Sequence, residues 1–259
     1  MRVIFLGTGT SHGIPMIGCE CPVCTSADPR DKRTRVSIVV EYDGHSILID
    51  TGPELRLQCV ANNIRTCDAV LFTHHHADHI VGLDDLRRFN WLQARPIECY
   101  GMPATLYRLK QMFDYAFRHD PEYASAKPHL VERVIEGEFE LFGRRVVPIP
   151  LLHGKMPVLG FRFGRFAYCT DCSAIPTESM DRLTGLDVLV LDALRVRPHP
   201  THFNLEQAVH HARQIGAHRT LFTHIAHELM HEPTNDRLPA GIQLAHDGLV
   251  VHVDEGEAG

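Results

Sequence analysis

The chain has no excess of positive charge. Its 26 Lys and Arg face 32 Asp and Glu, so the formal net charge is −6 with histidine neutral. A surface that neutralises many phosphates is basic, and a nucleic-acid partner is therefore not expected. Long apolar runs are also missing. Stretches such as Asp187 to Ala193 stop far short of the roughly 20 residues that cross a bilayer, so no membrane partner is expected. The opening MRVIFLGTGTSHG reaches Gly-Thr-Gly before a signal-type apolar region can form, and it reads as a first strand and turn. A cytoplasmic location is the expectation. Two catalytic signatures lack their context as well. Gly7-Thr8-Gly9-Thr10-Ser11-His12-Gly13 lacks the Gly-Lys-Ser/Thr of a phosphate loop and reads as a tight turn; Gly9-Thr10-Ser11-His12-Gly13 has the letters of Gly-x-Ser-x-Gly, but no helix pattern starts there, so an α/β-hydrolase serine is unsupported.

What is present is an ordinary globular composition, 44% hydrophobic and 22% charged, with histidine as the outlier at 19 residues. Eight cysteines in 259 residues are too dilute for a disulfide scaffold. In a reducing compartment a tight group of them points to a metal site instead.

Strand-like runs bounded by turn residues occur at Arg2 to Gly9, Ser37 to Tyr42, Ser46 to Thr51, Ala69 to Thr73 and Ile97 to Gly101, with a hairpin turn at Asp43-Gly44. Apolar residues at helical spacing predict a helix from Pro103 to about His119. A second β-rich group follows: Phe139 to Leu152, Val158 to Thr170 with a turn at Gly164-Arg165, and Val188 to Ala193. Asn204 opens a helix that Gly216 stops, Thr220 to Thr223 reads as a buried strand, and Asp247-Gly248 suggests a closing hairpin. No linker or charge block separates the two groups. One domain over residues 1–259, with two stacked sheets and helices outside, is the economical reading.

The most informative stretch is Thr73-His74-His75-His76-Ala77-Asp78-His79, directly after the apolar run Ala69-Val70-Leu71-Phe72. Imidazole nitrogen and carboxylate oxygen suit zinc, manganese or iron, and a loop leaving a strand end can turn several such groups toward one point. The alternative is a solvated histidine-rich turn. Three more ligand types cap apolar runs: His153 after Ile149 to Leu152, Asp171 after Phe166 to Thr170, and His224 after Leu221 to Thr223. Their shared pattern points to convergence on two metals.

This set resembles the full ligand set of the metallo-β-lactamase superfamily, and the resemblance covers nearly the whole chain. It implies an α/β fold, a four-layer αβ/βα sandwich with a dinuclear site along one edge of the sheets. It further implies that His74, His76 and His153 hold one metal, that Asp78, His79 and His224 hold the other, and that Asp171 bridges them. His75 is not carried over. Asp50, at the end of Ile47 to Ile49, resembles the buried aspartate beneath the metal loop, with a turn-forming Asp as the alternative.

Cys19, Cys21 and Cys24 sit within one loop, and thiolates so close suit a structural zinc in tetrahedral coordination, with His227 the best fourth ligand. Cys59, Cys67, Cys99, Cys169 and Cys172 are scattered and read as small buried hydrophobes. Cys-x-Cys-x-x-Cys together with Thr-His-Ile-x-His is similar to the PhnP-like branch of the superfamily, the phosphoribosyl cyclic phosphodiesterases. The stretch Leu86-Arg87-Arg88-Phe89-Asn90-Trp91 departs from the phosphonate-pathway members of that branch.

The resemblance implies a phosphodiesterase that opens a small cyclic phosphate, of the 5-phosphoribosyl 1,2-cyclic phosphate or 2′,3′-cyclic nucleotide type, with a hydroxide held between two Mn or Zn ions. Asp78 and Asp171 serve that chemistry as ligands. His202, before the Asn204 helix, is the candidate acid for the leaving alkoxide, with a solvent-facing histidine as the alternative. Two other readings share the motif: a transfer-RNA 3′-processing nuclease, and a non-catalytic carrier like the relatives in pyrroloquinoline quinone biosynthesis. The family analogy favours a homodimer.

Overall fold

The computed structural model describes residues 1–118 and 126–254. Its strands are, in chain order, β1 (Arg2–Gly7), β2 (Ser37–Tyr42), β3 (His45–Ile49), β4 (Ala69–Leu71), β5 (Ile97–Gly101), β6 (Leu130–Val134) and β7 (Phe139–Leu141). There follow β8 (Arg144–His153), β9 (Met156–Phe163), β10 (Phe166–Cys169), β11 (Val188–Asp192), β12 (Arg219–Thr223), β13 (Ile242–Leu244) and β14 (Val250–His252). The helices are α1 (Leu55–Ala61), α2 (Ala77–Ile80), α3 (Arg87–Gln93), α4 (Pro103–Met112), α5 (Asp114–Phe117), α6 (Thr177–Met180), α7 (Leu205–Ile215) and α8 (His231–Asn235). One sheet runs β14-β1-β2-β3-β4-β5-β6 and the other β13-β12-β11-β10-β9-β8-β7.

Side-chain alternation explains the stacking. Along β1, Val3 and Phe5 join the core between the sheets, while Ile4 and Leu6 face the outer helices. In β11, Val188 and Val190 point inward and Leu189 and Leu191 outward. Strands buried on both faces read as continuous apolar runs, which is why the sequence shows runs here instead of alternation. Outside the first sheet, Leu55, Leu83, Phe89, Leu106 and Leu109 pack against it; outside the second, Leu183, Phe203, Ala208 and Ala212 do the same. The result is helix, sheet, sheet, helix: the four-layer sandwich.

Turn chemistry behaves as expected at several joints. Asp43 and Gly44 take φ of 49° and 80°, the left-handed pair that matches strand twist in a tight hairpin. Asn204 and Gln207 close a reciprocal capping box on α7, and Gly216 ends that helix at φ 69°.

Two expectations need correction, and one strand has no counterpart among the expected elements. The helix from Pro103 breaks at Phe113 (φ −130°) and resumes as α5, which swings Ala116 into the core behind the first sheet; His119 lies outside the described residues. β6 escaped notice because only Leu130 in it is buried. The turn at Asp247-Gly248 is not a hairpin. β13 pairs parallel to β12 in one sheet and β14 antiparallel to β1 in the other, so this turn carries the chain between sheets. Thr8 Oγ1 and Thr34 N and Oγ1 donate to the Asp247 carboxylate, which anchors the crossing.

The parallel strands β3 to β6 and β10 to β13 bring their carboxyl ends to one edge of the sandwich, the usual place for a site in an open sheet. Behind that edge the turn at Gly52 packs directly on Gly82, whose N–H donates to Thr51 O at 2.9 Å. A Cβ at Gly82 would collide with the Gly52 carbonyl oxygen, which is backbone and has no easy way to yield. Gly82→Ala is therefore expected to lower unfolding stability by about 1–3 kcal/mol. Gly137→Ala, at an exposed position facing open space, should stay within about 0.5 kcal/mol in the same chemical denaturation series.

Candidate metal centre

Asp50 follows β3 directly, at φ 63° and fully buried. Its carboxylate accepts from Thr73 N at 2.9 Å, from Thr73 Oγ1 at 2.8 Å and from His79 Nδ1 at 2.7 Å. One buried acid thus fixes both ends of the histidine loop. His224 also follows its strand directly, Asp171 lies two residues past β10, and both take positive φ, 59° and 51°. Non-glycine residues in that region are strained, and such strain concentrates at functional sites.

Three histidines of the group are held by their outer nitrogens. His74 Nδ1 lies 3.0 Å from Thr73 Oγ1, His79 Nδ1 bonds Asp50, and His153 Nδ1 donates to Thr201 O at 2.7 Å. The inner nitrogens converge. His79 Nε2 stands 3.3 Å from Asp171 Oδ1 and 3.4 Å from Asp78 Oδ2; His224 Nε2 stands 3.3 Å from Asp171 Oδ2 and 3.6 Å from Asp78 Oδ2. His74 Nε2 lies 3.9 Å from Asp171 Oδ2.

The Nε2 atoms of His74, His79 and His224 are buried and have no hydrogen-bond partner. Orphaned buried nitrogens are costly unless something binds them. Donors bound tetrahedrally to one ion at about 2.0–2.2 Å lie about 3.4 Å apart, close to the separations around Asp78, His79, Asp171 and His224. His74, His76 and His153 form a second group of the same kind. The residues present therefore fit divalent metal ions. Of the seven sequence candidates, all seven fall in these two groups, and Asp171 lies beside both. His75 points away, into a cleft beside α4.

The electrostatics suit this use. Burial pushes His74 and His153 below the ordinary histidine range, which favours the neutral, ligating form. Burial opposes the charge of Asp171, yet the facing His224 and His79 overcome it and hold the carboxyl well below the usual range.

His202 joins the rim. Its ring stacks on His224 (centroids 4.6 Å apart, 13° between planes), and its Nδ1 bonds Asp192 Oδ2 at 2.9 Å. Burial disfavours the imidazolium, but the Asp192 carboxylate outweighs it and raises the group to about 9. Its Nε2 is 4.0 Å from Asp171 Oδ2, farther than those of His79 and His224. Asp192 was not singled out in the sequence. The signal was there, since it ends the apolar run of β11 as Asp171 follows that of β10.

Cys19, Cys21, Cys24 and His227 also come together. His227 Nδ1 lies 3.2, 3.4 and 3.8 Å from the three sulfurs in turn. Zinc bonds of about 2.3 Å to sulfur and about 2.0–2.1 Å to nitrogen put S and N about 3.6 Å apart, so this group fits a closed tetrahedral ion. The Cys24 N–H donates to Cys21 Sγ at 3.4 Å and draws the Cys21 thiol down to about 6. Ile225, between His224 and His227, is strapped to the N-terminal turn: its N–H donates to Thr8 O at 2.9 Å and its carbonyl accepts from Thr10 N at 3.0 Å. Cys59, Cys67, Cys99, Cys169 and Cys172 are buried and unpaired with one another.

Residues 45–225 match the family described as the beta-lactamase superfamily domain. With its sandwich and its two donor groups at the strand ends, the chain belongs to the metallo-β-lactamase superfamily. Within it the chain is similar to the PhnP-like type. A crystal structure described as a new diphosphatase from the PhnP family superposes with a TM-score of 0.90 at 46% identity, covering 97% of each chain. The octanoyltransferase of Porphyromonas gingivalis is 38% identical over 258 residues, 98% of this chain but only 52% of that protein, so the chain spans about half its length. Zn(2+)-bound PqqB from Methylobacterium extorquens shares the fold, with a TM-score of 0.78 at 23% identity over 98% of this chain and 100% of that one.

Asp50 orients His79 without facing the centre itself. Asp50→Ala is expected to weaken metal binding at this site by about 10–100-fold while leaving metal at the cysteine group unchanged. Competition against a chromophoric chelator, with total metal counted by mass spectrometry, reads both.

Proposed function

We propose that the protein hydrolyses a P–O bond in a small disubstituted phosphate, with a cyclic phosphodiester as the leading substrate class. The observation that carries this reading is the donor geometry, in which buried imidazoles with engaged Nδ1 atoms turn unpartnered Nε2 atoms toward the shared carboxylate Asp171. In this reading His74, His76 and His153 hold one divalent ion, Asp78, His79 and His224 hold a second, and Asp171 lies between them. Mn or Zn fits these donors, and a structural zinc fits Cys19, Cys21, Cys24 and His227. Bound divalent ions supply a water activated at neutral pH and a Lewis acid for the phosphoryl oxygens.

The chain's own residues do the rest. His76, exposed where its partners are buried, opens the centre to substrate. His202, held through Nδ1 by Asp192, presents Nε2 toward the centre and carries the proton that the departing oxygen needs. Opening a cyclic phosphate makes that oxygen an alkoxide, a poor leaving group that gains most from an acid. A second reading is hydrolysis of a diphosphate, favoured by the 46% identical diphosphatase of the PhnP family. There the leaving group is a phosphate and needs the proton less.

His202→Ala tests this assignment. A substrate with an alkyl leaving group should slow by about 10²–10⁴-fold, and methyl p-nitrophenyl phosphate far less, because nitrophenolate departs without a proton. Metal content should not change. Equal losses on both substrates would make His202 a phosphate-positioning residue, and loss of metal would make it a ligand.

A further inference from the structure

Beside the centre lies a cleft of about 650 Å³ that the chemistry described so far does not use. His75, His76 and Ala77 form one wall, so the cleft borders the donor group at its solvent-facing member His76; α4 forms the other wall through Tyr107, Arg108, Gln111 and Met112. Two features set this wall apart. Tyr107 and Met112 leave 65% and 43% of their surface exposed, although both are large and apolar in body. Arg108, in turn, has no carboxylate partner among the described residues, whereas Lys110, two residues on, pairs with Glu132 at 3.0 Å.

The wall is also preorganised. Arg108 Nη1 donates to Gln111 Oε1 at 3.1 Å, and Gln111 Nε2 donates to Tyr107 Oη at 3.0 Å. These are i,i+3 and i,i+4 pairs, which meet on one face of a helix. One amide thereby fixes both a guanidinium and a phenol ring. A guanidinium offers five N–H donors, so most of the Arg108 fork stays free for an anion such as a phosphate. An exposed tyrosine ring offers a face on which a planar base can stack.

We propose that this cleft is a substrate subsite for the non-reacting part of a nucleoside diphosphate, with Arg108 binding the second phosphate and Tyr107 carrying the base. The inference rests on the second reading above, hydrolysis of a diphosphate, and names the rest of that substrate. It requires one phosphate at the metal centre next to His76 and the rest of the nucleotide along α4.

Titration calorimetry of the Mn²⁺-loaded full chain tests it without turnover. The probes are α,β-methylene-ADP, which is not cleaved, and methylenediphosphonate, which lacks the nucleoside. The wild type should bind the nucleotide analogue about tenfold or more tightly than methylenediphosphonate. Tyr107→Ala should erase that preference, and Arg108→Ala should weaken both probes about tenfold, with Arg108→Lys recovering part of the loss. Equal wild-type affinity for the two probes, or variants that bind α,β-methylene-ADP as the wild type does, would overturn the subsite. Turnover of methyl p-nitrophenyl phosphate by the same preparation is scored separately. Its absence refutes the hydrolase reading, whereas normal turnover with unshifted binding refutes the subsite alone.

Discussion

Burying imidazoles and carboxylates at one edge of a sandwich, with their inner atoms unpaired, is the constraint that the rest of the molecule serves. Nε2 of His74, His79 and His224 lies in the protein with no hydrogen-bond partner. Such atoms cost free energy in an empty fold and repay it only by binding something. Everything around them limits their freedom. Thr73, Asp50 and the Thr201 carbonyl hold Nδ1 of His74, His79 and His153, so those three rings cannot turn to find other partners. A donor set held in this way is preorganised for a cation, because little ordering remains to be done when the ion arrives.

Backbone strain and strand topology supply that rigidity. Asp50 and His224 adopt positive φ immediately past a strand and Asp171 does so two residues past one, and each strand sits inside a sheet covered on both faces. A ladder of hydrogen bonds therefore sets where the turn begins, and the turn sets where the side chain points. The cysteine group extends this logic. His227 is three residues beyond His224, and Ile225 between them is hydrogen-bonded to Thr8 and Thr10. An ion at Cys19, Cys21, Cys24 and His227 would pin the outer end of the segment whose inner end carries His224. Stability of the small loop and geometry of the large centre are coupled through that short stretch.

Much of this was legible before any coordinates. Apolar runs followed by His153, Asp171 and His224 marked strand ends, because an apolar strand that stops at a polar residue shows in the sequence. Asn204 and Gly216 marked α7 through capping chemistry that is local to the chain. Other features depend on distant partners and leave no local trace. Asp247-Gly248 has the composition of a hairpin turn, but whether β13 and β14 pair with each other or with β12 and β1 is decided by strands outside the turn, β1 lying at the opposite end of the chain. β6 is an exposed edge strand with almost no apolar face. Asp192 does leave a trace, since it ends an apolar run, but only the position of His202 shows what it holds.

The most direct test of the account is to locate the ions. Crystals of the protein purified without chelator, measured on both sides of the zinc and manganese absorption edges, would place each metal by anomalous scattering. The account predicts peaks about 2.0–2.2 Å from Nε2 of His74, His79 and His224, on both sides of Asp171, and a zinc peak about 2.3 Å from the sulfurs of Cys19, Cys21 and Cys24. Ordered waters hydrogen-bonded to those nitrogens, with no anomalous signal after metal is supplied in excess, would contradict it.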